Sequence, residues 1–199
     1  MNDSTAPPAG GSPAAVTGAP LIELGWDAGF EVALQETIRS LGPAPGRRLA
    51  PGRVLRRDKT TCAVAFPEPV AHVPINPQVV SSPLEAPTTG DFVLVVDGEI
   101  RHVLERRTCM MRAGYRDLDA QLLAANVDTV LVVSSLANDF RARRIERLLV
   151  VAWQTGAVPI VVLTKADCCD DVGAAYDETA AVAPGAPVHV VSALTGEGI

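Results

Sequence analysis

The sequence predicts an α+β protein of more than one domain, a small antiparallel β-barrel followed by part of a parallel α/β domain. Two observations carry this. Short β-like runs separated by turn residues crowd residues 45–108. After them, three almost wholly apolar runs, TVLVV at 129–133, PIVVL at 159–163 and PVHVV at 187–191, recur about thirty residues apart, the length of a βαβ unit.

In chain order, residues 1–20 are Ala, Pro, Gly, Ser and Thr almost throughout. They cannot bury enough apolar area to offset the entropy of ordering, so a disordered tail is expected. Residues 21–44 form the next segment. Asp27 is a candidate N-cap, Phe30, Leu34 and Ile38 fall on one face of an amphipathic helix, and Gly42 stops it.

Within 45–108, GRVLRRDKTTCAVAF reads as two strands around a turn at Asp58-Lys59. GDFVLVVDGEIRHVLERR reads as a second hairpin turning at Asp97-Gly98. The prolines between them, at 67, 69, 74, 77, 83 and 87, mark loop or edge strand. So many short strands in so few residues suggest an OB-like barrel. From 109 to 199 the apolar runs suggest parallel strands covered by helices on both faces. RARRIERLLVVAWQTG supplies one helix, with Ile145, Leu148, Leu149, Ala152 and Trp153 at helical spacing and Gly156 ending it. His189, inside an apolar strand, is expected in the core.

Composition excludes several classes. The net charge is −6 in 199 residues, so a nucleic-acid partner needs a local basic patch. Arg53, Arg56, Arg57, Arg101, Arg106 and Arg107 are candidate RNA contacts in the barrel. Arg141, Arg143, Arg144 and Arg147 read as a solvated helix face. No apolar stretch reaches the roughly 18 residues of a membrane span, and the N-terminus has no signal-peptide pattern. A cytoplasmic monomer is expected. Cys62, Cys109, Cys168 and Cys169 contain no C-x-x-C and are read as reduced thiols. His72, His102 and His189 form no metal-spaced group, so no metal ligand and no catalytic residue is assigned. Trp26 and Trp153 read as packing residues, and Tyr115, Arg116 and Asp117 as a junction without a role.

The chemistry gathers at TKAD, residues 164–167, and SALTGEG, 192–198. Ligands of open parallel sheets sit beyond the carboxyl ends of the strands, and both segments follow such strands. Guanine presents two adjacent donors, N1–H and the exocyclic amine, and one carboxylate accepts both. Asp167 is suited to that task. The Lys165 stem can lie along the base, and the Ala193 N–H can donate to the guanine oxygen.

TKAD followed by SALTGEG resembles the two base-reading motifs of translation-factor-type GTPases, N-K-x-D and S-A-K/L. They arrive with no phosphate-binding loop before them, an order that resembles the circularly permuted GTPases. With GRV, GDFV, GEIRHVLERRT, AANVDTVLVV and LGWD, the likeness extends over about residues 50–199 to the ribosome small-subunit-dependent GTPase A (RsgA) family. The resemblance implies an OB barrel, a permuted P-loop-type GTPase domain and a C-terminal zinc module. It also implies GTP or GDP with Mg²⁺, and the small ribosomal subunit with its rRNA as partner. Thr164, Lys165, Ala166 and Asp167 would hold the base, and Ser192, Ala193 and Leu194 would close over it. Thr164 stands where the family has asparagine, so weaker bracing of the loop is expected. No G-x-x-x-x-G-K-[ST] occurs in the 199 residues, so the chain is expected to be the base-reading half of a longer protein, truncated before the phosphate loop and zinc ligands. The alternative is a non-catalytic RNA- or ribosome-binding module, or a decayed gene fragment.

Overall fold

A computed structural model of the protein describes residues 16–42, 46–66, 70–82, 84–112, 121–137 and 140–199. Tyr115, Arg116, Asp117, Pro67, Pro69 and Pro83 lie outside the described residues. The chain divides into two compact units, Met1–Asn126 and Val127–Ile199.

In the first unit, helix α1 spans Ala28–Ser40. The Asp27 carboxylate caps it by accepting from the Gly29 and Phe30 N–H groups, at 2.8 and 3.2 Å. Two of the first turn's orphan donors are thereby satisfied. Five strands follow: β1 Leu49–Arg57, β2 Thr61–Ala65, β3 Val70–Pro74, β4 Phe92–Val96 and β5 Glu99–Val103. They pair antiparallel in the order β3-β2-β1-β4-β5. Both expected hairpins are present. At the second, Asp97 and Gly98 have φ of 52° and 88°, the left-handed pair that matches strand twist.

β4 is buried along its whole length because each side meets a different core. Phe92, Leu94 and Val96 pack with Trp26, Phe30 and Leu34. Val93 and Val95 pack with Val54, Cys62, Val64, Val73 and Ile100. That explains five consecutive apolar residues in an antiparallel strand, where alternation is the usual pattern. Trp26 meets Phe92 edge-on at 5.0 Å, and Phe30 lies 4.4 Å from the same ring. The OB-like barrel expected here is not closed by a ladder. Between the outer strands there is one isolated parallel bridge, Ile75 to Ile100, and the Asn76 N–H donating to the Ile100 carbonyl at 3.1 Å.

Of the tail expected over residues 1–20, residues 1–15 lie outside the described residues, and 16–20 are ordered against the first unit. Val16 is buried in the α1 core, and its carbonyl accepts from the Gln35 side chain at 2.8 Å. A further hairpin, β6 Cys109–Arg112 and β7 Gln121–Ala125, falls in the first unit, whereas the sequence reading began the second domain at 109. The Gly90 N–H donates to the Val54 carbonyl and the Ala125 N–H to the Thr89 carbonyl, linking this hairpin through residues 89–90 to β1.

The second unit alternates β8 Thr129–Ser135, α2 Ala142–Gln154, β9 Val158–Thr164, α3 Val172–Val182 and β10 Val188–Val190. Its three strands are parallel, in the order β10-β9-β8. α2 buries Ala142, Ile145, Leu149 and Ala152 against Val132, Val161 and Leu163. Within this unit, and among the described residues, the helices cover one sheet face, where both were expected to be covered. On the other, Leu131, Val133 and Val158 are 58%, 58% and 60% exposed. His189 shares that face by register, opposite Val162, so it is exposed and no core residue. Leu148 and Trp153, expected on the buried side of α2, are also exposed. Helical spacing overcounts the core when a helix meets just one layer.

Candidate functional site

β9 delivers Thr164 to the carboxyl edge of the sheet. Its carbonyl accepts from the Leu136 N–H at 2.8 Å, which ties it to the end of β8. Its hydroxyl donates to the Ser134 carbonyl at 3.4 Å. Threonine thus supplies a single long brace at the place where the family resemblance implies asparagine.

Lys165 then takes up a left-handed conformation, φ 59° and ψ 46°. For a residue with a Cβ this is uncommon, and it turns the chain sharply into the short 3-10 turn Ala166–Cys168. Ala166 is buried, and its N–H donates to the Val191 carbonyl at 3.2 Å. This fastens the 165–168 turn to the segment following β10. Asp167 is left exposed on the rim.

The 192–198 loop closes on itself. The Ser192 N–H donates to the Glu197 carbonyl and the Gly196 N–H to the Ser192 carbonyl, both at 2.9 Å. Gly198 has φ 74°, and a Cβ there would sit 2.3 Å from the Val190 carbonyl oxygen, so glycine is required. Ser192 is fully buried. Its hydroxyl accepts from the Thr195 N–H at 3.2 Å and donates to Asp167 Oδ1. The two segments singled out in the sequence therefore meet at the Asp167 carboxylate.

The other Asp167 oxygen, Oδ2, accepts from the Cys168 thiol at 3.2 Å. The Ser192 hydroxyl first, and then the Cys168 thiol, hold the Asp167 carboxyl below its ordinary pKa. The same contact pushes the Cys168 thiol up, so at neutral pH the pair is a carboxylate beside a protonated donor. No described hydrogen bond takes up the Ala193 N–H, and Ala193 and Leu194 are exposed at the lip. Sequence reasoning missed Cys168 as a donor to Asp167; its adjacency to the aspartate was the available signal. It also missed Thr195 and Gly198, which shape the loop.

The six arginines singled out in the first unit separate into two groups. Arg106 grips Asp91 with two bonds of 2.7 Å and donates to the Ala86 carbonyl at 2.9 Å. Asp91 is fully buried. Arg53 donates to the Leu24 and Asn126 carbonyls and lies over Phe92. Arg107 pairs with Asp27 and covers Phe30. These three knit the unit together. Arg56, Arg57 and Arg101 are exposed, with long ion pairs from Arg56 to Asp58 and from Arg101 to Glu99. Arg56, Arg57 and Lys59 line one concavity beside Thr88 and Gln121.

A parallel three-stranded sheet thus carries a carboxylate fixed between two loops at its rim. Residues 103–199 match the family model described as RsgA GTPase. The chain is 39% identical over 187 residues to the small ribosomal subunit biogenesis GTPase RsgA of Streptomyces coelicolor, a match covering 90% of this chain and 49% of that protein. To the protein of the same name from Opitutus terrae it is 34% identical over 197 residues, covering 90% and 52%. The chain thus spans about half the length of the curated relatives it matches. Among solved structures, YjeQ from Thermotoga maritima matches with a TM-score of 0.60 at 20% identity, covering 75% of this chain and 54% of that one. YloQ, described as a circularly permuted GTPase, matches with a TM-score of 0.54 at 20% identity, covering 74% and 53%. At that identity the likeness is one of fold.

Proposed function

We propose that this chain carries the barrel and the guanine-reading half of a circularly permuted GTPase acting in biogenesis of the small ribosomal subunit, in the cytoplasm. The observation that supports it best is the meeting of Asp167 and Ser192 at the carboxyl edge of β9 and β10. In this reading Asp167 accepts the N1–H and amine protons of guanine, each oxygen keeping a lone pair beyond its bond to Ser192 or Cys168. Lys165 lies along the base, Thr164 and Ala166 hold the turn, and Ser192, Ala193 and Leu194 close over it, with the Ala193 N–H on the guanine oxygen. Adenine offers an acceptor and a lone amine at those positions and is rejected by unpaired groups.

The first unit is read as an OB-type barrel that meets rRNA through phosphate contacts. Arg56, Arg57 and Arg101 are the candidates for this, since Arg53, Arg106 and Arg107 already serve the fold. Magnesium and zinc would accompany the nucleotide and a further module in a complete GTPase of this kind. Among the described residues no group of three His, Cys, Asp or Glu side chains is placed to hold a metal, so neither ion is assigned to residues of this chain. No described helix is long and apolar enough to cross a membrane.

Titration of the isotope-labelled 199-residue protein with GDP, ADP and XDP, followed by amide chemical shifts, tests the nucleotide reading. GDP is expected to move residues 164–168 and 192–195, and ADP to leave them still. Affinity should be weak and GTP turnover absent, because base contacts of a few kcal/mol meet an association cost of similar size and no phosphate-loop motif is present. Asp167→Asn should weaken GDP by about tenfold and favour XDP, whose C2 oxygen accepts the new amide N–H. Equal responses to GDP and ADP would remove the assignment.

A further inference from the structure

Asp167 is an exposed carboxylate that must present two oxygens in one plane to a flat base. An exposed aspartate turns freely about its terminal torsion, so something has to set that plane. Ser192 alone binds one oxygen, Oδ1, and leaves rotation about that contact open. The second oxygen is held by the Cys168 thiol at 3.2 Å, from the next residue in the chain. The 3-10 turn keeps this geometry: the Cys168 N–H donates to the Lys165 carbonyl at 3.0 Å and the Cys169 N–H to the Ala166 carbonyl at 3.1 Å.

We infer that Cys168 is a positioning residue which, together with Ser192, fixes the plane of the Asp167 carboxylate for a bidentate grip on the base. The inference rests on Asp167 being the base-reading group. With one donor on each oxygen, flipping the carboxylate breaks both bonds, and each oxygen keeps a lone pair for a ligand. The ionisable groups acting on it are Cys168 and Lys165, both within its own turn; from the 192–198 loop the neutral Ser192 hydroxyl faces it. Because the thiol is raised above its ordinary range by the same carboxylate, it remains a donor at neutral pH. Cys62, by contrast, is buried in the first unit, where desolvation raises its thiol to about 11.

The experiment compares the intact chain with Cys168→Ala and Cys168→Ser. Carbon-detected NMR follows titration of the Asp167 carboxyl, and amide shifts follow GDP and IDP binding. IDP offers N1–H but no amine, so the ratio of the two affinities reports the fork. Cys168→Ala should raise the Asp167 midpoint and weaken GDP by about three- to tenfold, the scale of one ordinary net hydrogen bond, as befits a weak thiol donor. IDP should weaken less, narrowing discrimination, and Cys168→Ser should restore both. A titration curve for Cys168→Ala that superimposes on the parent overturns the inference. So does an unchanged GDP-to-IDP ratio in a variant whose midpoint has moved. Absence of any GDP response in the parent chain would instead strike the base-reading assignment, and the titration arm keeps that failure distinct.

Discussion

Two aspartates in this chain do opposite work with similar chemistry. Asp91 is fully buried, and Arg106 answers it with two short bonds while the Thr88 N–H adds a third at 2.8 Å. Removing the guanidinium would strand a buried charge. Arg106→Ala should therefore cost about 3–5 kcal/mol, read by denaturant unfolding, while Arg56→Ala or Arg101→Ala should stay within about 0.5 kcal/mol. Loss of RNA retention without loss of stability in the latter pair is the expected signature of contact residues. Asp167 sits on the surface with neutral donors, leaving capacity for a ligand. From the sequence, nothing set Asp91 apart, and all six arginines looked alike. What separates them is burial by distant segments, since Arg106 reaches back to Ala86 and Arg107 reaches Asp27 across 80 residues. Asp167 was legible because its partner loop is itself a motif; Cys168 was not, because a cysteine there belongs to no pattern.

At the scale of elements, local rules served well wherever one segment decided the outcome. The Asp27 cap, the Asp97-Gly98 turn and the three parallel strands all stand where spacing and turn chemistry placed them. Asp27 also carries a pH consequence. Its hydrogen bond and ion pair with Arg107, then its bonds to Phe30 and Gly29, hold the carboxyl far below the usual range. A depressed pKa contributes stability that is present above the unfolded value of about 4 and lost as pH falls through the folded value. The parent should thus lose stability on acidification below about pH 4 more steeply than Asp27→Asn, as followed by helical circular dichroism. Coincident acid profiles would count against a structural role for this cap. β6, β7 and α3 escaped the sequence reading. β7, QLLAA, is short and lacks β-branched residues, and α3, VGAAYDETAAV, has an alanine-rich face too weakly apolar to announce itself. β6 and β7 pair with each other and α3 packs on α2, and support from outside a segment leaves little local trace in it.

For the molecule as a whole, periodicity identified a parallel sheet, and the rule that such sheets are covered twice led to one wrong expectation. Leu131, Val133 and Val158 face outward on strands whose other side is packed, so an apolar run reports what a strand can bury, while the number of layers around it decides what it does bury. That outward face has a calorimetric consequence. Unfolding changes heat capacity in proportion to the apolar area newly wetted, and in residues 127–199 part of that area is wet from the start. Their transition should show a heat-capacity increment below the usual ~12–15 cal/mol/K per residue, a shallow denaturant slope and a broad, flat temperature profile. An increment at the ordinary value would mean that this face finds cover in solution.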